Sequence, residues 1–217
     1  MKKKILYGLL IIFTIAIVGG IYGYTVISTG FNIDKTVYIY IDENKDYNLL
    51  LKNIEDSSRV KSISNFELMA SILNYKENVR SGKYAVTSDM NIYELIKDLR
   101  SGHQTPVNLK FNNIRTKEDF SERISEQLML KKEDILNQLN DPTVCNTLGF
   151  TPDNVVAMFI PNTYQLYWDM SMDSFLQRMK KEYEKFWTEE RNKKAEAIGL
   201  TPVEVSTLAS IVEEECT

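Results

Sequence analysis

Histidine and cysteine are almost missing from this chain: its 217 residues include one His and two Cys. That leaves no basis for a histidine-built metal site, a paired-His network or a disulfide framework. A zinc enzyme and a Ser/His/Asp hydrolase are correspondingly poor fits. Glycine and proline are sparse as well, at nine and five, and no internal repeat or low-complexity linker is present. With 43% hydrophobic and 26% charged residues, the composition excludes a disordered or collagen-like chain and fits one ordinary domain or two small ones. An excess of basic charge is also lacking. Beyond residue 4 the chain carries 23 basic side chains against 30 acidic ones, which argues against nucleic acid as a partner.

Charge of either sign is absent from Ile5 to Ile33, directly after Lys2, Lys3 and Lys4. Within that run, Ile5 to Tyr24 supplies 20 residues, enough to cross about 30 Å of hydrocarbon at about 1.5 Å per residue. The segment reads as a transmembrane helix. The three lysines predict a cytoplasmic N-terminus with the body outside, and Tyr22 and Tyr24 suit the outer aromatic belt. A secretory signal peptide is the competing reading. The apolar core exceeds the ~7–15 residues of a signal, and no small-x-small site follows it, so an uncleaved anchor is favoured. No Cys follows the run closely enough for a lipoprotein anchor. Cys145 and Cys216 leave a bridge between them open.

The body begins with a dense β-branched and aromatic run, Thr36 to Ile41, read as a strand. Helices are expected at Tyr47 to Ile54 and at Asn65 to Leu73, the second capped by Asn65. A strand follows at Ser81 to Val86. An amphipathic helix spans Asp89 to Leu99, with Ile92, Leu95, Ile96 and Leu99 at helical spacing and Gly102 as its stop. The alternating VNLKF, Val107 to Phe111, is read as a strand completing a small α+β module, with Pro106 as a hinge. Beyond it, two helices are expected within Lys117 to Leu139, then a turn at Gly149 to Pro152. One long helix is expected from Met172 to about Ala197, its Phe175/Met179/Tyr183/Phe186 stripe packing into a core. His103, beside Gly102, reads as an exposed loop residue without a role.

Two constellations could carry chemistry. Thr201-Pro202-Val203-Glu204 has the signature of a helix start, with Thr as N-cap, Pro at the first position and Glu completing a capping box. That fixes the helical phase. With Leu208 at 0°, Ile211 falls at about 300°, Val212 at about 40° and Glu215 at about 340°, in the centre of the apolar stripe. Glu213 and Glu214 lie on the opposite face and the flank. A carboxylate on a core-facing stripe has its pKa raised by desolvation, which prepares a general acid. The alternative is that Glu213 to Glu215 form a solvated, frayed end, at the unfavourable pole of the helix dipole. The second constellation, FIPNTYQLY from Phe159 to Tyr167, interleaves aromatics with Asn162, Thr163 and Gln165. It suits carbohydrate, whose ring faces stack on aromatics while hydroxyls meet amides. The alternative is a buried strand after a proline turn, which the residues alone favour.

Taken in order, these motifs resemble the MltG (YceG-like) endolytic murein transglycosylases. LTPVEVSTLASIVEEECT is similar to that family's LTP-x-E-x-x-TLASIVEKET signature, and FIPNTYQLY to its F-P-D-T-Y segment. RSGKYAVTSDMNIYELIKDLRSG, Arg80 to Gly102, resembles a stretch of its LysM-like module. The resemblance implies cleavage of the β-1,4 bond between N-acetylmuramic acid and N-acetylglucosamine in nascent peptidoglycan, giving 1,6-anhydro ends without metal or cofactor. It implies Glu215 as the acid/base and Phe159, Pro161, Asn162, Thr163, Tyr164 and Glu213 as substrate-binding residues. Glu215 is also the residue singled out by helical phase. One carboxylate suffices because the muramyl 6-hydroxyl is the nucleophile, unlike the carboxylate pair of ordinary glycosidases.

The sequence departs from the family at Asn162, where Asp is usual, and at Cys216, where Thr is usual. The family also continues for roughly a hundred residues past this helix, so the resemblance implies an incomplete catalytic domain. The expected architecture is α+β: anchor and lead over residues 1–33, a LysM-like module over 34–111, and the first part of a transglycosylase domain over 112–217. The expected location is the plasma (inner) membrane, single-pass, with the body outside. The expected partners are glycan strands, the membrane and cell-wall synthesis proteins, with no nucleic acid. The alternative function is a membrane-tethered glycan-binding or scaffold protein without turnover.

Overall fold

The computed structural model describes the backbone of residues 2–111 and 116–215, and the side chains of residues 6–111 and 116–212. The chain divides into two compact units, Met1–Thr105 and Pro106–Thr217.

The first unit opens with helix α1, Lys2–Ile27, whose apolar side chains from Leu6 to Tyr24 are almost all exposed. Its stretch Leu6–Ile27 is long and apolar enough to cross a membrane, a property that a signal sequence shares. The helix does not end in a loose linker. Val26 and Phe31 lie in the core of the unit, and Thr29 is buried between them. Strand β1, Val37–Ile41, pairs antiparallel with β2, Gly82–Val86, in a register that sets Ile39 opposite Tyr84. The inward row of this two-stranded sheet (Ile39, Ile41, Tyr84, Val86) is buried against Leu50 and Ile54 of helix α2, Tyr47–Asp56, and Phe66, Met69 and Ala70 of helix α3, Ile63–Ile72. Helix α4, Ile92–Ser101, adds Ile92, Leu95, Ile96 and Leu99, all buried. These are the four positions whose spacing marked an amphipathic helix.

Local chemistry explains where these helices begin and stop. Asn91 and Glu94 form a reciprocal capping box at the start of α4, and Gly102 ends it at φ 75°, a left-handed position suited to glycine. Helix α3 starts earlier than expected. Ser62 is its N-cap, accepting from the Asn65 N–H at 3.2 Å. Asn65 instead lies inside the helix and donates from its side-chain amide to Thr29 Oγ1 at 2.8 Å.

In the second unit, strand β3, Val107–Phe111, pairs antiparallel with β4, Asn162–Leu166. Sequence grouped β3 with the first module, but its hydrogen-bonding partner lies far along the chain. Its alternation does what the pattern promised, burying Leu109 and Phe111. Between the strands lie helices α5, Lys117–Ser125, α6, Lys132–Asn140, and α7, Pro142–Leu148. Helix α7 had not been expected; Asp141 caps it and Pro142 occupies its first turn. Cys145 on α7 is a free, buried thiol, and Cys216 lies outside the described residues.

The single long helix expected after Met172 is two. Helix α8, Met172–Phe186, stops at Trp187, and Thr188 caps α9, Glu189–Ala197, by accepting from the Arg191 N–H. The Arg191 guanidinium folds back over the Phe186 ring, 4.1 Å from its centroid, and donates to the Phe186 carbonyl. Phe175 and Met179 are buried as expected, whereas Tyr183 is packed on the rim of the core, in edge contact with Phe150 at 5.1 Å. Helix α10, Pro202–Glu215, completes the unit.

Candidate functional site

The FIPNTY segment is built from three local structures. A 3-10 turn at Val155–Met158 buries Val155 and Met158 and delivers the chain to Phe159. Phe159 is itself core: its ring lies 3.9 Å from that of Phe120 and stacks at 6.3 Å on Phe175. Strand β4 then alternates. Tyr164 and Leu166 point inward, while Thr163, Gln165 and Tyr167 face solvent. Opposite them on β3, Asn108 and Lys110 are exposed on the same face, in register with Gln165 and Thr163.

Of the residues implied to bind substrate, Pro161, Asn162 and Thr163 are therefore at the surface, whereas Phe159 and Tyr164 are turned inward. The Asn162 side-chain oxygen accepts from the Thr163 N–H at 2.7 Å. A carboxylate accepts that bond equally well, so the Asn in place of the family's Asp keeps this contact. The Tyr164 hydroxyl donates to the Ile160 carbonyl, which ties the strand to the turn before it. Burial pushes its phenol up to about 12, helped by the Glu182 carboxylate and opposed by the Arg178 guanidinium. Arg178 and Glu182, one turn apart on α8, pair at 2.8 Å.

Four polar or aromatic residues not named as candidates share this region. Asn108, Lys110 and Tyr167 were findable from strand alternation, since each is the polar or outward partner of a buried neighbour. Arg178 was findable from its i,i+4 spacing to Glu182. Gln127 also contributes. Its amide accepts from the Lys110 N–H and donates to the Lys110 carbonyl, occupying the open edge of β3.

The second constellation starts as expected. The Thr201 hydroxyl accepts from the Glu204 N–H at 3.3 Å, and the Glu204 carboxylate accepts from the Thr201 N–H at 2.8 Å. The Thr201 N–H, together with the Thr201 hydroxyl donating to the same carboxylate at 2.8 Å, holds the Glu204 carboxyl below its ordinary value. The first turn of α10 is anchored by Val203, which packs on the core, and the helix lies against the 3-10 turn that leads into Phe159. The structure thus brings the root of α10 to the FIPNTY segment. Its far part differs from expectation. Leu208, Ile211 and Val212 are about half exposed, at 48%, 54% and 53%, so this stripe faces solvent. The core-facing environment that would desolvate a carboxylate at Glu215 is not supplied by the described residues. The side chains of Glu213 and Glu215 lie outside them. At about 1.5 Å per residue, Glu215 stands roughly 18 Å along the helix from Val203.

Among the described residues no group of His, Cys, Asp and Glu is gathered in a way that could hold a metal ion. His103 is exposed, its ring nitrogen 3.2 Å from Asp98.

The fold is that of a helix-rich protein with two small antiparallel sheets and an apolar N-terminal helix. It is similar to the crystal structure of a yceG-like protein from Listeria monocytogenes, with a TM-score of 0.50 and 20% identity over 85% of this chain. The chain spans 66% of the length of that protein. No curated protein matches the sequence. The model of the YceG-like family matches residues 39–217, and the chain belongs to that family.

Proposed function

We propose that this protein is an endolytic lytic transglycosylase of peptidoglycan, held at the membrane by α1, with Glu215 as its acid/base. The observation that carries the reading is the family match over residues 39–217, which spans both the FIPNTY segment and α10. In this reading Glu215 protonates the glycosidic oxygen between N-acetylmuramic acid and N-acetylglucosamine as the C1–O bond breaks. The muramyl 6-hydroxyl then bonds to C1 and returns its proton to the carboxylate, so no water is consumed. Pro161, Asn162 and Thr163 meet the glycan, with Glu213 beside the acid. Phe159 and Tyr164 hold the strand from behind. Beyond the anchor and lead of residues 1–33, the residues up to Thr105 act as the LysM-like module, and those from Pro106 onward belong to the catalytic domain. Cell-wall synthesis proteins are its candidate partners, and the body lies outside the plasma membrane.

The test is to incubate purified glycan strands with the full chain and with Glu215→Gln in detergent or nanodiscs, then quantify 1,6-anhydro-muramyl ends. Product from the parent and none from the variant is expected; equal yields would sink the assignment. One observation favours a second reading, a glycan-binding protein without turnover: the stripe of α10 beneath Glu215 is open to solvent. Co-sedimentation with peptidoglycan that yields no anhydro ends would establish it.

A further inference from the structure

The junction between α1 and the rest of its unit has features that an anchor alone does not need. Immediately after α1, the chain is stitched into the unit by backbone bonds: Ile92 N–H to Thr29 O at 2.9 Å, Lys61 N–H to Gly30 O at 3.0 Å, and Asn32 N–H to Arg59 O at 3.0 Å. Val26, still within the apolar stretch, is 3% exposed. The unit is therefore held rigidly against the end of the helix, at the level where a spanning segment leaves the bilayer.

Helix α3 is the element packed there. Its Asn65 bonds Thr29, and Met69, one turn on, is buried in the same core as Val26. Taking Asn65 as 0°, Met69 falls at about 40°, Ile72 at about 340° and Leu68 at about 300°, while the one charged residue of the helix, Glu67, falls at about 200°. Leu68 and Ile72 thus border the row that meets α1, yet they are 39% and 65% exposed. Phe66 and Ala70 fill the inner face, so these two side chains have no core left to enter. They lie on the helix that packs against α1, where Tyr22 and Tyr24 are also exposed. Arg59 and Lys61, both exposed, sit on the strand-like segment bonded to residues 30–32, directly past the helix end. Apolar side chains flanked by cations at this depth match a bilayer interface with anionic headgroups.

We propose that the first unit docks on the membrane surface from which it emerges, with Leu68 and Ile72 entering the interfacial zone and Arg59 and Lys61 meeting anionic lipid phosphates. This rests on α1 being a retained span. The test uses the full chain in phosphatidylglycerol/phosphatidylcholine vesicles, with an environment-sensitive fluorophore on Ile72→Cys, on Asn44→Cys as the aqueous reference, or on Ile15→Cys within the span. All are made in a Cys216→Ser background, Cys145 being buried. Nitroxide-bearing lipid is expected to quench position 72 several-fold more than position 44, and aqueous iodide to do the reverse. Removing the anionic lipid is expected to weaken lipid quenching at 72. If 15 is in lipid while 72 is as open to iodide as 44, docking is overturned and the anchor stands. If 15 itself is aqueous, both fall. If 72 is shielded from both quenchers, protein rather than lipid covers the patch, and docking is overturned. Lipid quenching at 72 that is unchanged without anionic lipid overturns the headgroup contact.

Discussion

Phe159 and Thr163 stand four residues apart in one motif, yet their surroundings give them different work. Phe159 is wedged between Phe120 and Phe175 and is 6% exposed, whereas Thr163 faces solvent. Phe159→Ala removes a ring that its packed neighbours cannot replace, and it is expected to cost about 3–5 kcal/mol in urea denaturation. Thr163→Ala leaves the core untouched and is expected to change stability by less than about 0.5 kcal/mol. If the surface of β4 meets glycan, Thr163→Ala is the change that weakens co-sedimentation with peptidoglycan. A Phe159→Ala protein that kept its full stability would show that the aromatic cluster is not the core of this unit. Sequence named both residues because it ranks a motif by composition. Which of them is available depends on the neighbours across β3 and α8, and no spacing within FIPNTY encodes those.

Helix α10 shows which properties of an element are local. Its start was legible because the capping box involves only Thr201 and Glu204, and both reciprocal bonds form. The same holds for α4, with Asn91, Glu94 and Gly102. Where two capping residues compete, as Ser62 and Asn65 do, the long-range bond from Asn65 to Thr29 decides, and sequence reading chose the wrong one. The break at Trp187 was hidden because Thr188 lies among good helix formers, and the start of α7 because Asp141-Pro142 followed another helix too closely. The phase of α10 was legible, but what its stripe faces was not. Strand pairing failed for the same reason: β3 was recognisable from alternation, while its partner β4 is set by the tertiary fold. The α10 cap also carries a pH dependence. The folded-state pKa of Glu204 is depressed below its ordinary value of 4.5, so its capping contribution is full above that value and is lost as pH falls through the depressed one. Amide exchange, corrected for its intrinsic pH dependence, is expected to show protection of the first turn of α10 falling as the pH is lowered from 4.5 through the depressed value. Glu204→Gln, which caps without titrating, should abolish that change, and a pH-independent parent would refute the cap's role.

Across the whole chain, two kinds of order coexist: an apolar helix that exposes nearly all its side chains, and two units with separate aromatic-rich cores. The first makes sense only in contact with lipid or as a segment removed on export, and the two cases differ in what remains attached. Val26 and Phe31 belong to the core of the first unit. Cleavage beyond Val26 would remove a side chain that fills it, whereas the retained-anchor reading predicts no cleavage at all. Mass spectrometry of the protein purified from membranes should therefore find residues 6–27 present. The lysines at positions 2–4 should hold the N-terminus inside, since positive flanks stay on the cytoplasmic face. Protease added to intact protoplasts is then expected to digest residues beyond 33 while an N-terminal tag survives. Digestion of the tag with protection of the body would reverse the topology. A mature chain that begins near residue 25 would keep Val26 and Phe31 in the core and would replace the anchor with a signal sequence.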